Sequence, residues 1–209
     1  MTSELVLASA SVSRRLILQS AGIRFRTELS GADEVMFAAS TSEIVGALAR
    51  QKAEAVAARL AGGLVLGCDS LLDIDGQAFG KPASAEDAIE RWHRQRGLSG
   101  TLFTGHVLVD AGSGVSHAET VATVIHFGRP SEAEIQMYVD TGEPLDKAGA
   151  FTLEGRSAPF IERVDGDPGN VRGLSLPALR RLVEAHGRSI VEFWTEPGAD
   201  FPARSDLGN

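Results

Sequence analysis

Apolar positions along the chain alternate between a period near 3.6 and a period near 2, the signatures of helices and strands. Glu4–Ser9 reads as a short buried strand. Ser13–Gly22 reads as a helix opened by Ser and stopped by Gly, with Leu16, Ile17 and Ser20-Ala21 on one face. Phe25–Ser30 alternates like a strand. Thr41–Gly63 is the clearest helix: Ile44, Val45, Leu48, Ala49, Ala53, Val56 and Leu60 form its stripe, Glu43 completes a capping pattern, and Gly62-Gly63 end it. Leu64–Ile74 is a strand, Asp75-Gly76 a turn, and Gln77–Gly80 the returning arm of a hairpin. Ser84–Gly97 is a capped amphipathic helix. The stretches "GTLFTGHVLVDAGSG" and "SHAETVATVIHF" predict a second hairpin. Ser131–Gly142 reads as a helix, 156–166 as strand-like, and Ser175–Gly187 as a helix with Pro near its start. The polar, Gly/Pro-containing tail after Thr195 is expected to fray. Strands alternate with helices, but two hairpins argue against an all-parallel sheet. The expectation is an α/β fold, a twisted mixed sheet flanked by helices, as a single domain over residues 1–209.

Composition narrows the class. An apolar share of 43% supports a real core. No window approaches the roughly 18 apolar residues of a membrane helix, and the amino end lacks a secretory pattern, so no membrane association is expected. A single cysteine, Cys68, excludes an internal disulfide and fits a reducing, cytoplasmic setting. The net charge of −8 disfavours nucleic-acid binding, which rests on Lys and Arg meeting phosphates. A locally basic pocket for a small anion remains compatible with that total.

The segment "GCDSLLDIDGQAFGKP" concentrates the candidate chemistry. Asp69 follows an apolar run, and a carboxylate there needs a partner because a buried unpaired charge is costly. Alternation puts Cys68 on the opposite face, so a core-packed Cys68 turns Asp69 towards a cleft. Lys81 follows the hairpin and precedes Pro82, which stiffens the turn. Asp69 and Lys81 suit a metal-binding or base carboxylate beside a phosphate-binding cation; a structural salt bridge is the competing reading. Upstream, "ASASVSRR" places small residues before a helix start, where amides can receive an anion. Arg14 and Arg15 oppose the helix dipole in its first turn unless an anion offsets them; a solvated pair is the plainer alternative. The spacing is not that of a Walker loop. Lys52 in the long helix reads alone as solvent-facing, and Asp33-Glu34 as a turn-forming acidic pair. The five histidines lack metal-ligand spacing, and Ser9, Ser11 and Ser13 lack His and acid partners for nucleophilic catalysis.

Taken in order, "LASASVSRRLILQSAGIRF", "ADE", "ARQKA", "LGCDSLLDIDGQAFGKP", "LFTGHVLV", "YVDTGEPLDKAGAF" and "GNVRGLSLPAL" closely resemble the Maf family of nucleoside triphosphate pyrophosphatases, from about Leu5 to about Leu182. The resemblance implies an elongated mixed sheet around a central cleft, of the Maf/ITPase-like kind. It also implies hydrolysis of a nucleotide between its α and β phosphates with a divalent cation, Mg²⁺ or Mn²⁺, in a cytoplasmic homodimer. By motif position Asp69 matches the family's catalytic carboxylate, also a metal ligand with Glu34. Ser9, Arg14, Lys52 and Lys81 match substrate-binding positions. A nucleotide-binding regulator of septum formation, without significant catalysis, is the alternative the resemblance leaves. Three positions depart from the thymidine and uridine triphosphate branch: Ser13, Ser70 and Glu154 stand where it has Arg, Thr and Gln. Glu154 is like the branch acting on 7-methyl-GTP, which has Trp and Gln at the other two positions. An ionised carboxylate only accepts hydrogen bonds, which suits the two adjacent donors of guanine. Glu154 is therefore expected to bind substrate, with a lean towards guanine-type bases; a place outside the base pocket, serving only a loop, is the plainer alternative.

Overall fold

The computed structural model describes residues 4–31 and 40–196. Within them one sheet carries the strands β1 (Leu5–Leu7), β2 (Arg26–Thr27), β3 (Leu64–Ile74), β4 (Gln77–Phe79), β5 (Ser99–Asp110), β6 (Ser116–Phe127) and β7 (Ile161–Asp165). The order is β2-β1-β3-β5-β6-β7, with β4 paired to β3. β1 runs parallel to β2 and β3, and the remaining pairings are antiparallel. The sheet is therefore mixed, as the two hairpins require. The α-helices are α1 (Val12–Ser20), α2 (Thr41–Ala57), α3 (Ala85–Gln95), α4 (Glu132–Asp140), α5 (Pro168–Val171) and α6 (Leu176–Ala185).

Local chemistry explains the boundaries. α2 opens on a full capping box, Ser40 with Glu43, worth about 1 kcal/mol. α4 opens the same way on Ser131 and Glu134. α1 begins earlier than Ser13 because Ser11, extended at φ −62° and ψ 121°, caps it by accepting the Arg14 N–H. Asp75 and Gly76 both have positive φ, 52° and 79°, the backbone of a tight two-residue hairpin turn. The expected strand over 25–30 shrinks to the two residues of β2, because only Val6 and Leu7 offer it pairing partners. The strand-like stretch 156–166 divides into a 3₁₀ turn over Ala158–Phe160, carrying Pro159, and then β7. The tail beyond 196 lies outside the described residues.

Even-numbered residues of β3 face two separate cores. Leu64, Leu66 and Cys68 pack with Ile17, Leu18 and Phe193 at one end of the sheet. Leu72 and Ile74 pack with Trp92, Phe127 and Tyr138 at the other. Ser70 falls between the two, at the start of a buried polar seam. Its Oγ lies 2.9 Å from Thr104 Oγ1, which donates to the Asn170 carbonyl at 3.1 Å. Asn170 Nδ2 in turn donates to Leu102 O, Val121 O and Thr123 Oγ1. The opposite face of β3 carries α2, whose Ala49, Ala53 and Val56 pack with Val65 and Val107.

β3 is longer than its partners on one edge. β1 pairs with it only over Leu64–Leu66, and β4 only over Leu72–Ile74. Among the described residues no strand covers Gly67–Leu71 on that edge. Asp69 stands in the middle of this gap.

Candidate active site

The gap in the sheet opens into a cleft of about 1000 Å³. Its walls come from the end of β1 and start of α1 (Ser9 to Arg14), from α2 (Leu48, Lys52), from β3 (Asp69, Ser70), and from the Gly80-Lys81 turn. Two later loops add Asp146, Lys147, Phe151 and Thr152, then Arg172 and Gly173.

α2 lays Lys52 over the gap. Lys52 Nζ bonds Asp69 Oδ1, and both side chains are only 13% exposed. Asp69 Oδ2 has no hydrogen-bond partner among the described residues. A carboxylate held at one oxygen and open at the other is oriented to take a proton or a cation. Cys68, one residue back, points into the core, where burial pushes its thiol up to about 11.

Arg14 occupies the inner end of the seam. Nε donates to Gly173 O at 2.8 Å, Nη1 to Ser9 Oγ at 3.1 Å, and Nη2 to Ser70 Oγ at 3.1 Å. These contacts use three of the five N–H groups of a guanidinium. The residue is buried, yet no described carboxylate lies within ion-pair distance of it. A buried cation without a counter-charge is costly, and an anion in the cleft would relieve that cost.

The opposite wall is tied together at one carbonyl. Gly80 O accepts from Arg91 Nη1 at 2.6 Å and from Gly149 N at 3.0 Å. Trp92 Nε1 donates to Ala150 O at 2.9 Å. α3 thereby fixes both the Lys81 turn and the loop carrying Lys147. Lys81 Nζ contacts Asp146 Oδ1 at 2.7 Å, and this ammonium holds the Asp146 carboxyl below its usual range. Lys147 makes no salt bridge among the described residues.

Of the residues singled out from the sequence, Ser9, Arg14, Lys52, Asp69 and Lys81 come together around this cleft. The solvent-facing expectation for Lys52 does not hold, because α2 presents it to Asp69. Lys81 pairs with Asp146 and not with Asp69. Glu154 does not line the cleft; it pairs at 2.5 Å with Arg172, which does. Glu34 lies outside the described residues. Lys147 and Arg172 escaped the reading of single residues, although both stand in the segments "EPLDKAGAF" and "GNVRGLSLPAL" that carry the family resemblance.

The model of the family described as Maf-like protein matches residues 4–186. A protein of Streptomyces coelicolor named nucleoside triphosphate pyrophosphatase is 54% identical over 193 residues, covering 91% of this chain and 94% of its own. A protein of the same name from Salinispora tropica is 50% identical over 204 residues, covering 95% and 90%. One from Gloeothece citriformis is 45% identical over 195 residues, covering 93% of this chain and all of its own.

Proposed function

This chain belongs to the Maf-like protein family, and from that premise we propose that its cleft is the active site of a nucleoside triphosphate pyrophosphatase. Water attacks the α phosphorus, a new P–O bond forms, and the α–β bridging bond breaks. The bond's electron pair leaves on pyrophosphate, and a nucleoside monophosphate remains. Asp69 acts on the water through Oδ2, either directly as its base or as a ligand of the cation, while Lys52 fixes the carboxylate's orientation. Arg14, Lys81 and Lys147 offset charge on the phosphate oxygens, and Ser9 holds Arg14 in place. The observation that carries this reading is Arg14: buried, without a counter-charge among the described residues, and hydrogen-bonded to the strand of Asp69.

The residues fit a hard divalent cation, Mg²⁺ or Mn²⁺. Asp69 offers one unpartnered oxygen, and no group of three His, Cys, Asp or Glu able to hold an ion exists among the described residues. That donor set suits an ion held by one or two carboxylates plus substrate phosphates, with Glu34 as the second carboxylate. Bound there, the ion would neutralise negative charge on the triphosphate.

We read Glu154 as belonging to the base-binding end, with a lean towards guanine-type bases such as 7-methyl-GTP. Its carboxylate sits one residue outside the cleft wall, against Arg172. Family membership also leads us to propose a homodimer acting in the cytoplasm; no described helix is long and apolar enough to cross a membrane.

A panel of modified and unmodified triphosphates, hydrolysed in ¹⁸O-water with Mg²⁺, tests the reaction. The expected products are monophosphate carrying the label and unlabelled pyrophosphate. Diphosphate with orthophosphate, or label in pyrophosphate, would overturn it.

A further inference from the structure

Arg172 stands between Glu154 and the cleft, and its hydrogen-bonding capacity is largely unspent. Nη2 lies 2.5 Å from Glu154 Oε1. Nε is buried with no partner, and Nη1 has none among the described residues. The side chain is a quarter exposed and lines the cleft. Its neighbour Gly173 gives its carbonyl to Arg14, so the guanidinium is set on a loop anchored to the phosphate end.

A guanidinium only donates and a carboxylate only accepts. Arg172 offers donors to the cleft, with the Glu154 acceptor behind it. Guanine's Watson–Crick edge runs acceptor (O6), donor (N1–H), donor (N2–H), and uracil's runs acceptor (O4), donor (N3–H), acceptor (O2). Adenine and cytosine begin with an amino donor, which would face the guanidinium. We infer that Arg172 is a specificity-determining residue that selects bases with a carbonyl at C6 of a purine or C4 of a pyrimidine. Glu154 then separates guanine from uracil at the remaining positions. Methylation at N7 leaves the O6 acceptor in place, so Arg172 meets the same group in GTP and 7-methyl-GTP. The inference rests on the reading that this end of the cleft takes the base.

The test is kcat/KM for GTP, 6-thio-GTP, ATP and UTP in the wild type and in Arg172→Met, Arg172→Lys and Glu154→Gln, with thermal midpoints as a fold control. 6-Thio-GTP replaces the O6 acceptor by a poorer one and keeps N1–H and N2–H. The wild type is expected to favour GTP over 6-thio-GTP about tenfold and over ATP by about a hundredfold or more. Arg172→Met brings both ratios towards one, and Arg172→Lys falls between. Glu154→Gln lowers the GTP to UTP ratio. If Glu154→Gln shifts that ratio while neither Arg172 variant moves the other two, the base-end reading stands and the role of Arg172 is refuted. If no variant moves any ratio, both fall. Should Arg172→Met unfold, the Arg172→Lys ratios decide.

Discussion

His106 sits in β5 with no exposed surface, and its Nε2 accepts the Ser175 N–H at 2.9 Å where α6 begins. The neutral ring must then carry its proton on Nδ1, because a protonated ring would turn an N–H against an N–H. Burial, with the Arg14 guanidinium adding to it, lowers this histidine from its ordinary 6.5 to about 4. Between those values the unfolded chain binds more protons than the folded one, so stability falls as pH drops from 6.5 towards 4 and is unaffected above. At 1.36 kcal/mol per pH unit the window is worth about 3 kcal/mol. Urea unfolding at pH 7 and pH 4 checks this: the wild type should lose about 3 kcal/mol more than His106→Gln, and equal losses would contradict it. The chain's polarity pattern exposes some of these individual roles. Asp69 is legible because a carboxylate after an apolar run demands a partner. Lys52 is not, because a lysine in a helix carries no mark of the strand residue opposite it. Arg172 is hidden likewise, since its partner Glu154 lies on another loop.

α2 reaches Asp69 only because β3 and β5 lack side chains where it crosses them. A Cβ on Gly67 would lie 2.2 Å from Ala49 O and 2.7 Å from Ala53 N; one on Gly105 would lie 2.3 Å from Val45 O. These are contacts with helix backbone, so a substitution must move the helix and with it Lys52. Gly67→Ala is expected to destabilise by about 3 kcal/mol, lowering Tm by about 10 °C, and to reduce kcat. Gly62→Ala, with open space around its Cβ, is the control; calorimetry finding the two variants equally stable would refute the role of the close approach. The main elements are legible from periodicity and caps, and β3 keeps the Leu64–Ile74 bounds that its apolar run and Asp-Gly turn mark. β2 is shorter than its alternation suggests, because a strand's length depends on what its neighbour can pair. The sheet gap is invisible in sequence for the same reason: it exists where β1 and β4, 70 residues apart, both fail to cover β3.

One face of the sheet carries two cores joined by a polar seam, α2 packs on the other face, and the cleft opens beside the seam at the gap along β3. The chain carries −8, yet the described cleft lining holds five cationic side chains and two carboxylates. A basic hollow on a chain of net negative charge suits a small anion better than a polyanion, which needs a broad basic face. Segments remote in sequence supply the charges: the first helix, α2, the hairpin turn and two later loops. Only the fold brings them around one cleft. The order of the motifs discloses the family and hence this architecture; the ion pairs within the cleft had to come from the fold. The decisive measurement is the rate of pyrophosphate release from a triphosphate substrate by Asp69→Asn, with circular dichroism and Tm establishing that the variant is folded. The account predicts a fall in kcat of about 10³-fold or more; a folded variant that releases pyrophosphate within tenfold of the wild-type rate would contradict it.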